Sequence, residues 1–140
     1  MAPRSSRPDD WPVLLHEELT KHISNAFLQV FHELGCGFAE SVYATALECV
    51  LTECGLRVER EVPISVYFHG RRIGSFKADM IVESAVMVEI KAMRRPDPSF
   101  EAQLLNYLRA TSIEVGLLLY FNPKPLKRRL IYTNDRKLIP

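Results

Sequence analysis

Cysteine is scarce in this chain, and what there is does not form a pattern. Cys36, Cys49 and Cys54 are odd in number and lack the C-x-x-C spacing of a zinc site or redox pair. Cys49 and Cys54 fall within a helical pattern, where cysteine is expected to be a small buried hydrophobe. A reducing, cytoplasmic setting fits this usage. The four histidines, His16, His22, His32 and His69, show no ligand spacing, which argues against a zinc enzyme. No apolar run approaches the ~20 residues of a membrane span. The arginines near the N-terminus are not followed by the apolar stretch of a secretory signal. Charge of one sign is lacking too: the formal net charge is +1, which excludes a polybasic binder acting through charge alone. Internal repeats and low-complexity segments are absent.

What is present is the composition of a soluble globular protein, with 47% hydrophobic and 25% charged residues. A length of 140 residues allows one domain with a substantial core and is short for two. Residues 1–13 contain three prolines and little to bury, and read as a mobile N-terminal tail. Residues 14–140 read as a single domain.

Hydrophobic spacing organises that domain. Leu15, Leu19, Ile23, Ala26, Phe27, Val30, Phe31 and Leu34 recur at steps of three and four, forming one apolar helix face. Gly35 and Gly37 end it. A second helix carries Val42, Tyr43, Ala46, Leu47, Val50 and Leu51 and ends at Gly55. Two such helices joined by Gly35-Cys36-Gly37 are expected to pack over the same core.

From Val62 the period drops to two. Val62, Ile64, Val66 and Phe68 mark a strand, His69-Gly70-Arg71 a turn, and Arg72 to Val82 a second strand. A third strand is expected from Val86 to Ala92. Asp97-Pro98 reads as an N-cap with proline at the first helical position, opening a helix with Phe100, Leu104, Leu105 and Leu108. The apolar run Val115 to Phe121 suits a central strand buried on both faces. It would join the third strand through a parallel, right-handed crossover, with Lys127 to Thr133 as an edge strand.

The chemistry lies in the second and third strands. Phe76, Ala78, Met80 and Val82 are expected on one face of the second, and Val86, Val88 and Ile90 on the core face of the third. A three-residue loop, Glu83-Ser84-Ala85, keeps both faces in register and sets Val82 opposite Val86 and Asp79 opposite Glu89. Lys77, Asp79, Glu89 and Lys91 would then share the other face. Two carboxylates placed directly opposite repel, and a divalent cation between hard oxygen ligands, magnesium or manganese, removes that cost. Lys91, two residues beyond Glu89, would reach a phosphate or the attacking water. On an exposed strand the same residues also make an ordinary solvated ion pair, and only the register distinguishes the two readings. Gln103 and Tyr107, at i and i+4, share a face of the following helix. There too the plainer reading stays open, with a solvated Gln103 and a packed Tyr107.

These residues together resemble a known family. Gly37-Phe38-Ala39-Glu40-Ser41-Val42-Tyr43 matches the signature of the GxxExxY proteins, which resemble a branch of the PD-(D/E)XK nuclease superfamily. Val62-Pro63, Lys77-Ala78-Asp79, Val88 to Ala92 and Glu101 to Leu108 match in order, over roughly residues 20–122. The resemblance implies an α/β, restriction-endonuclease-like core: a mixed sheet of about four to five strands flanked by helices. It implies Asp79 and Glu89 as metal-binding carboxylates, with the backbone carbonyl of Ile90 as a further ligand. Lys91 would be the water-activating or phosphate-contacting lysine, and Glu40 an additional acid reaching the metal, often through water. Gln103 and Tyr107 resemble the Gln-x-x-x-Tyr element of RecB-like nucleases. The chain departs from the superfamily pattern at Ala78, where proline is common.

The expected function is Mg2+-dependent hydrolysis of phosphodiester bonds in nucleic acid, with DNA as the leading substrate. Arg71, Arg72, Arg94 and Arg95, and a second basic group of Lys124, Lys127, Arg128 and Arg129, are candidates for holding its backbone. The alternatives are a catalytically weak nucleic-acid-binding module on the same scaffold, or an accessory protein that forms homo-oligomers through its N-terminal helices. No sequence-reading element is visible, and the sequence leaves open DNA or RNA, strandedness, and internal or terminal cutting.

Overall fold

The computed structural model describes residues 16–93 and 95–137. The tail expected at 1–13, Leu15 and Arg94 lie outside the described residues. The chain runs α1 (Glu17–Leu34), α2 (Glu40–Glu53), β1 (Val58–Phe68), β2 (Arg71–Val82), β3 (Val86–Lys91), α3 (Pro98–Arg109), β4 (Val115–Tyr120) and β5 (Leu126–Ile131), then a short 3-10 turn, Asn134–Arg136.

Local chemistry sets the breaks. The N–H of Gly35 closes α1 on the carbonyl of Phe31 at 2.8 Å, and Gly35 takes a positive φ of 69° that glycine tolerates. His69 and Gly70 both have positive φ and join Phe68 to its partner Arg71 in a two-residue hairpin turn. Asp97 caps α3 by accepting the Ser99 N–H at 2.9 Å, with Pro98 in the first turn.

The five strands form one sheet in chain order, β1-β2-β3-β4-β5. All neighbouring pairs are antiparallel except β3 and β4, which α3 connects in parallel. Every residue of β4 is buried, as its unbroken apolar run requires. The α/β architecture with a mixed, helix-flanked sheet is as expected.

Two apolar clusters cover the two faces. On one, Ile23, Ala26, Phe27 and Val30 of α1 and Tyr43, Leu47 and Leu51 of α2 pack on Met80, Val82, Val88, Ile90, Leu117 and Leu119. On the other, Leu104, Tyr107 and Leu108 of α3 pack on Ile64, Ala78, Ile81, Met87, Leu118 and Tyr120.

Three expectations are corrected. Cys49 and Cys54 are exposed rather than buried, as is Cys36. The buried stripe of α2 runs through Tyr43, Leu47 and Leu51 and turns its cysteines outward. Leu34 and Val42, assigned to apolar helix faces, are also exposed, Leu34 in the last turn of α1 and Val42 beside rather than on the buried stripe of α2. Finally, Phe76, Ala78, Met80 and Val82 do not share one face. Met80 and Val82 pack beneath α1 and α2, whereas Ala78 packs beneath α3 together with Ile81, and Phe76 lies against Tyr107 of α3.

The switch has a backbone cause. β1 changes sides at the same level: Val58 packs with the α1/α2 cluster and Val62 and Ile64 with the α3 cluster. Between them Glu61 has φ 50°, a left-handed value that interrupts the alternation of a strand. Arg60 pairs with Met80 and Val62 with Ala78, so Glu61 and Asp79 occupy the intervening level of the ladder. A non-glycine residue at positive φ is a strained position, and strain of this kind concentrates at functional sites.

Candidate active site

Asp79 stands where β2 parts from β3. Backbone pairing of the two strands covers Val82↔Val86, Ile81↔Met87 and Met80↔Val88. A turn in which Glu83 and Ser84 both have positive φ sets this register, and the Ala85 N–H closes it on the Val82 carbonyl at 3.0 Å. One step further, side chains replace the ladder. The N–H of Asp79 donates to Oε1 of Glu89 at 3.0 Å, and the N–H of Ile90 donates to Oδ2 of Asp79 at 2.8 Å. The expected juxtaposition of Asp79 and Glu89 is present, held by a reciprocal pair of carboxylate–backbone bonds.

The electrostatics of the pair are unfavourable without a counter-charge. Glu89 is only 4% exposed. Burial, and then the charge of Asp79, push its carboxyl up to about 8. The bond from the Asp79 N–H and the charge of Lys91 offset only part of this. Tyr107, buried at the edge of the α3 cluster, has its hydroxyl pKa raised by desolvation and then by the charges of Glu89 and Asp79. Its ring therefore lies within electrostatic reach of the pair.

The remaining residues take different places. Lys91 extends over the ring of Phe100 in α3, with Nζ 4.5 Å from the ring centroid, a cation–π contact that fixes its direction. Its own carbonyl accepts the Phe121 N–H at 2.8 Å. The N–H of Ile90 points towards β2, and a strand residue presents N–H and C=O on the same edge, so the Ile90 carbonyl opens towards Asp79. Glu40, the first residue of α2, places Oε2 3.3 Å from the N–H of Ala92, just beyond Lys91. It does not close on the pair: among the described residues no three His, Cys, Asp or Glu side chains gather as a metal cluster. Gln103 is exposed on α3, and Tyr107 is the buried member of that i, i+4 pair. Lys77 is exposed and next to Ala78, which faces α3, so alternation turns Lys77 to the opposite face and away from the constellation expected for it.

Several contributors were not legible as site residues. Tyr43 is fully buried, stacks on Phe121 at 4.0 Å, donates to the Gly35 carbonyl at 2.7 Å and accepts from the Phe38 N–H at 3.2 Å. It thereby pins the link that leads into Glu40. Phe100, which carries Lys91, read in the sequence as a core residue of α3. Asn122, 6% exposed, follows β4 and has an Oδ1 with no hydrogen-bond partner among the described residues. Phe100 and Asn122 carry no sequence signal beyond their type, whereas Tyr43 closes the Gly37–Tyr43 signature.

A family model for the PD-(D/E)XK nuclease superfamily matches residues 17–131. The chain belongs to the PD-(D/E)XK nuclease superfamily. The crystal structure of SSO0001 superposes with a TM-score of 0.52 at 23% identity, covering 86% of this chain and 61% of that one. At that identity the likeness is one of fold, and the chain spans less than two thirds of SSO0001. No curated protein matches the sequence significantly. Asp79 and Glu89-Ile90-Lys91 all lie within the matched residues. Ala78, in place of the common proline, is fully buried against the α3 cluster, a packing position.

The expected basic groups are dispersed. Arg71 and Arg72 are exposed at the β1–β2 turn, and Arg95 is exposed beyond β3. Along β5, Arg128 pairs with Glu101 of α3 at 3.2 Å. Lys127 and Arg129 instead line a groove of about 400 Å3 against α1, with Lys21 and Glu17. That groove lies on the α1/α2 face, away from Glu89.

Proposed function

We propose that the chain is a metal-dependent nuclease that hydrolyses phosphodiester bonds of nucleic acid, DNA before RNA, at Asp79 and Glu89. The observation that carries this reading is the reciprocal carboxylate pair, Glu89 buried and Asp79 half-buried, at the point where two strands part. Its donor set is all oxygen, from two carboxylates and the Ile90 carbonyl, which suits Mg2+ or Mn2+ over a softer metal. A Glu89 carboxyl raised to about 8 marks a place where a divalent cation replaces the proton. The residues therefore fit the cation that the superfamily implies.

When bound, that cation supplies a nucleophile at neutral pH and neutralises charge on the phosphate. Asp79 and Glu89 hold it, with Glu40 in support through water from the start of α2. Lys91, aimed by Phe100, orients the attacking water or neutralises the oxygens of the phosphate. Tyr107 walls the site on the α3 side and excludes solvent, and Gln103, exposed one turn earlier, contacts the substrate strand. Arg71, Arg72 and Arg95 hold the backbone. Membership of the GxxExxY branch rests on Gly37, Glu40 and Tyr43. Three exposed free thiols agree with a reducing, cytoplasmic location.

The test is cleavage of labelled single- and double-stranded DNA and RNA with Mg2+ or Mn2+ and then with EDTA. Lys91→Ala is expected to lower the rate about 10²–10³-fold, the scale of removing one preorganised charge-stabilising group, with far-UV circular dichroism unchanged. Metal-independent cleavage, or full activity in the variant, would remove this reading. A folded protein that binds DNA without cutting it points instead to a binding module. A second reading, an oligomeric accessory protein, draws on the exposed Leu28, Leu34, Phe38 and Val42 around α1 and α2. A defined oligomer without nucleic-acid affinity would favour it.

A further inference from the structure

The β1–β2 hairpin is longer than the sheet it belongs to. β1 and β2 pair from Val58↔Val82 out to Phe68↔Arg71, whereas β2 pairs with β3 only over Met80–Val82. Beyond Asp79, therefore, the hairpin runs on as a two-stranded arm. A ribbon of two strands gains little from burial, and a solvated surface is expected of it. Instead the arm exposes Tyr67, Phe68, Ile73 and Phe76, at 53%, 60%, 63% and 45%.

Its charge is equally uneven. From Val62 to Ala78 there are three fixed cations, Arg71, Arg72 and Lys77, and no acidic residue, in a chain whose total is +1. The face towards α3 carries an apolar stripe that starts beside the carboxylates. Phe76 lies 5.6 Å from Tyr107, and its ring covers Gly74 so closely that a Cβ there would come within 3.3 Å of it. Val66 pairs with Gly74; the register then shifts between Val66 and Tyr67, and Phe68 stands opposite Arg71 at the tip. The stripe is continuous with the buried Ile64 and Ala78 at its base.

We propose that this arm is a grip for unpaired nucleic-acid strands, in which Phe76 and Phe68 stack bases while Arg71 and Arg72 hold phosphates, and that it delivers the strand to Asp79 and Glu89. The inference rests on the nuclease reading for the strand's destination. Cations alone suffice for a duplex, whose bases keep their faces hidden, whereas exposed rings gain from bases whose faces are free. Arg71 lies eight residues before Asp79, or about 26 Å of strand. That matches about eight stacked nucleotides at ~3.4 Å each. A second copy of the chain suits the arm less well. Two such arms repel, and Pro63 on edge strand β1 obstructs strand addition.

The experiment is fluorescence anisotropy in EDTA, so that binding is read without cleavage, using a short labelled DNA strand and its blunt duplex. The single strand should bind roughly tenfold tighter or more. Phe68→Ala and Phe76→Ala should each weaken single-strand binding about tenfold and leave the duplex unchanged, whereas Phe76→Tyr should bind as wild type. Phe68 sits at the tip, so its variant cannot act by unfolding the core. Arg71→Ala with Arg72→Ala should weaken both forms and flatten the salt dependence. Equal affinity for both forms, aromatic variants that bind as wild type, or an arm-dependent dimer with no single-strand affinity would each overturn the proposal. Arm-dependent binding without Mg2+-dependent cleavage would refute the nuclease reading alone. Cleavage indifferent to the arm would refute this proposal alone.

Discussion

The two faces of the sheet use the same kinds of apolar residue and differ in what interrupts them. Under α1 and α2, the strands present Met80, Val82, Val88, Ile90, Leu117 and Leu119 to two long helices, and no carboxylate or cationic side chain is buried there among the described residues. Under the single helix α3, the corresponding row is Ala78, Ile81, Met87, Leu118 and Tyr120, and the position after Met87 on that face is Glu89. One face is a scaffold whose apolar packing holds the strands in place. The other accepts a carboxylate that the fold would be more stable without. The carboxylate pair can be unfavourable because the opposite face over-determines the positions of β2 and β3.

Four measurements on the metal-free protein would sharpen or break that comparison, taken from the largest expected effect. Leu47→Ala, in the fully buried middle of α2, should cost about 2–5 kcal/mol in chemical denaturation, by loss of burial and a residual cavity. A smaller cost would mean that the α1/α2 face is not the scaffold. Next comes the carboxylate itself. Because the folded state holds the Glu89 proton more tightly than the unfolded chain, it binds more protons between pH 4.5 and about 8. Stability in EDTA should accordingly fall as pH rises through that window, at no more than about 1.4 kcal/mol for each pH unit crossed. Glu89→Gln should flatten this dependence and be more stable than wild type at pH 8. Added Mg2+ should also restore stability to wild type there, and not to the variant. A flat profile in the wild-type protein would contradict the buried, repelled carboxylate.

The third measurement concerns how α3 lies on its face. A Cβ at Gly116 would sit 2.9 Å from Cδ2 of the fully buried Leu104. Gly116→Ala should cost about 1–3 kcal/mol by overpacking and lower the melting temperature accordingly. Unchanged stability would show that α3 is free to shift. The smallest effect belongs to the cap: Asp97→Ala loses the bond to the Ser99 N–H and should cost about 1 kcal/mol by thermal melting.

The elements could be read from the chain because their signals are local. Steps of three and four gave α1, α2 and α3, steps of two gave β1 and β2, and Asp97-Pro98 located the start of α3 within a residue. The register that opposes Asp79 and Glu89 was legible for the same reason, since the length of a tight turn constrains both strands. What failed was every inference that carried a simple alternation or proximity along the chain too far. Glu61 adopts a left-handed φ that no residue type announces, and β1 and β2 change faces there, so Lys77 leaves the site and Phe76 joins Tyr107. The basic run on β5 divides between two faces because neighbours on a strand point apart.

By itself, then, the sequence determined the helices, the strands, the order in which they follow one another, and the pair of carboxylates that the β2–β3 turn brings into opposition. These depend on spacing and turn chemistry within a few residues. Only the tertiary structure decided the depth at which Glu89 is buried, the direction Phe100 gives to Lys91, the bond that brings Glu40 to Ala92, and the exposed reach of the β1–β2 arm. Each of those depends on which surfaces distant segments remove from water, and no local pattern in the chain encodes that.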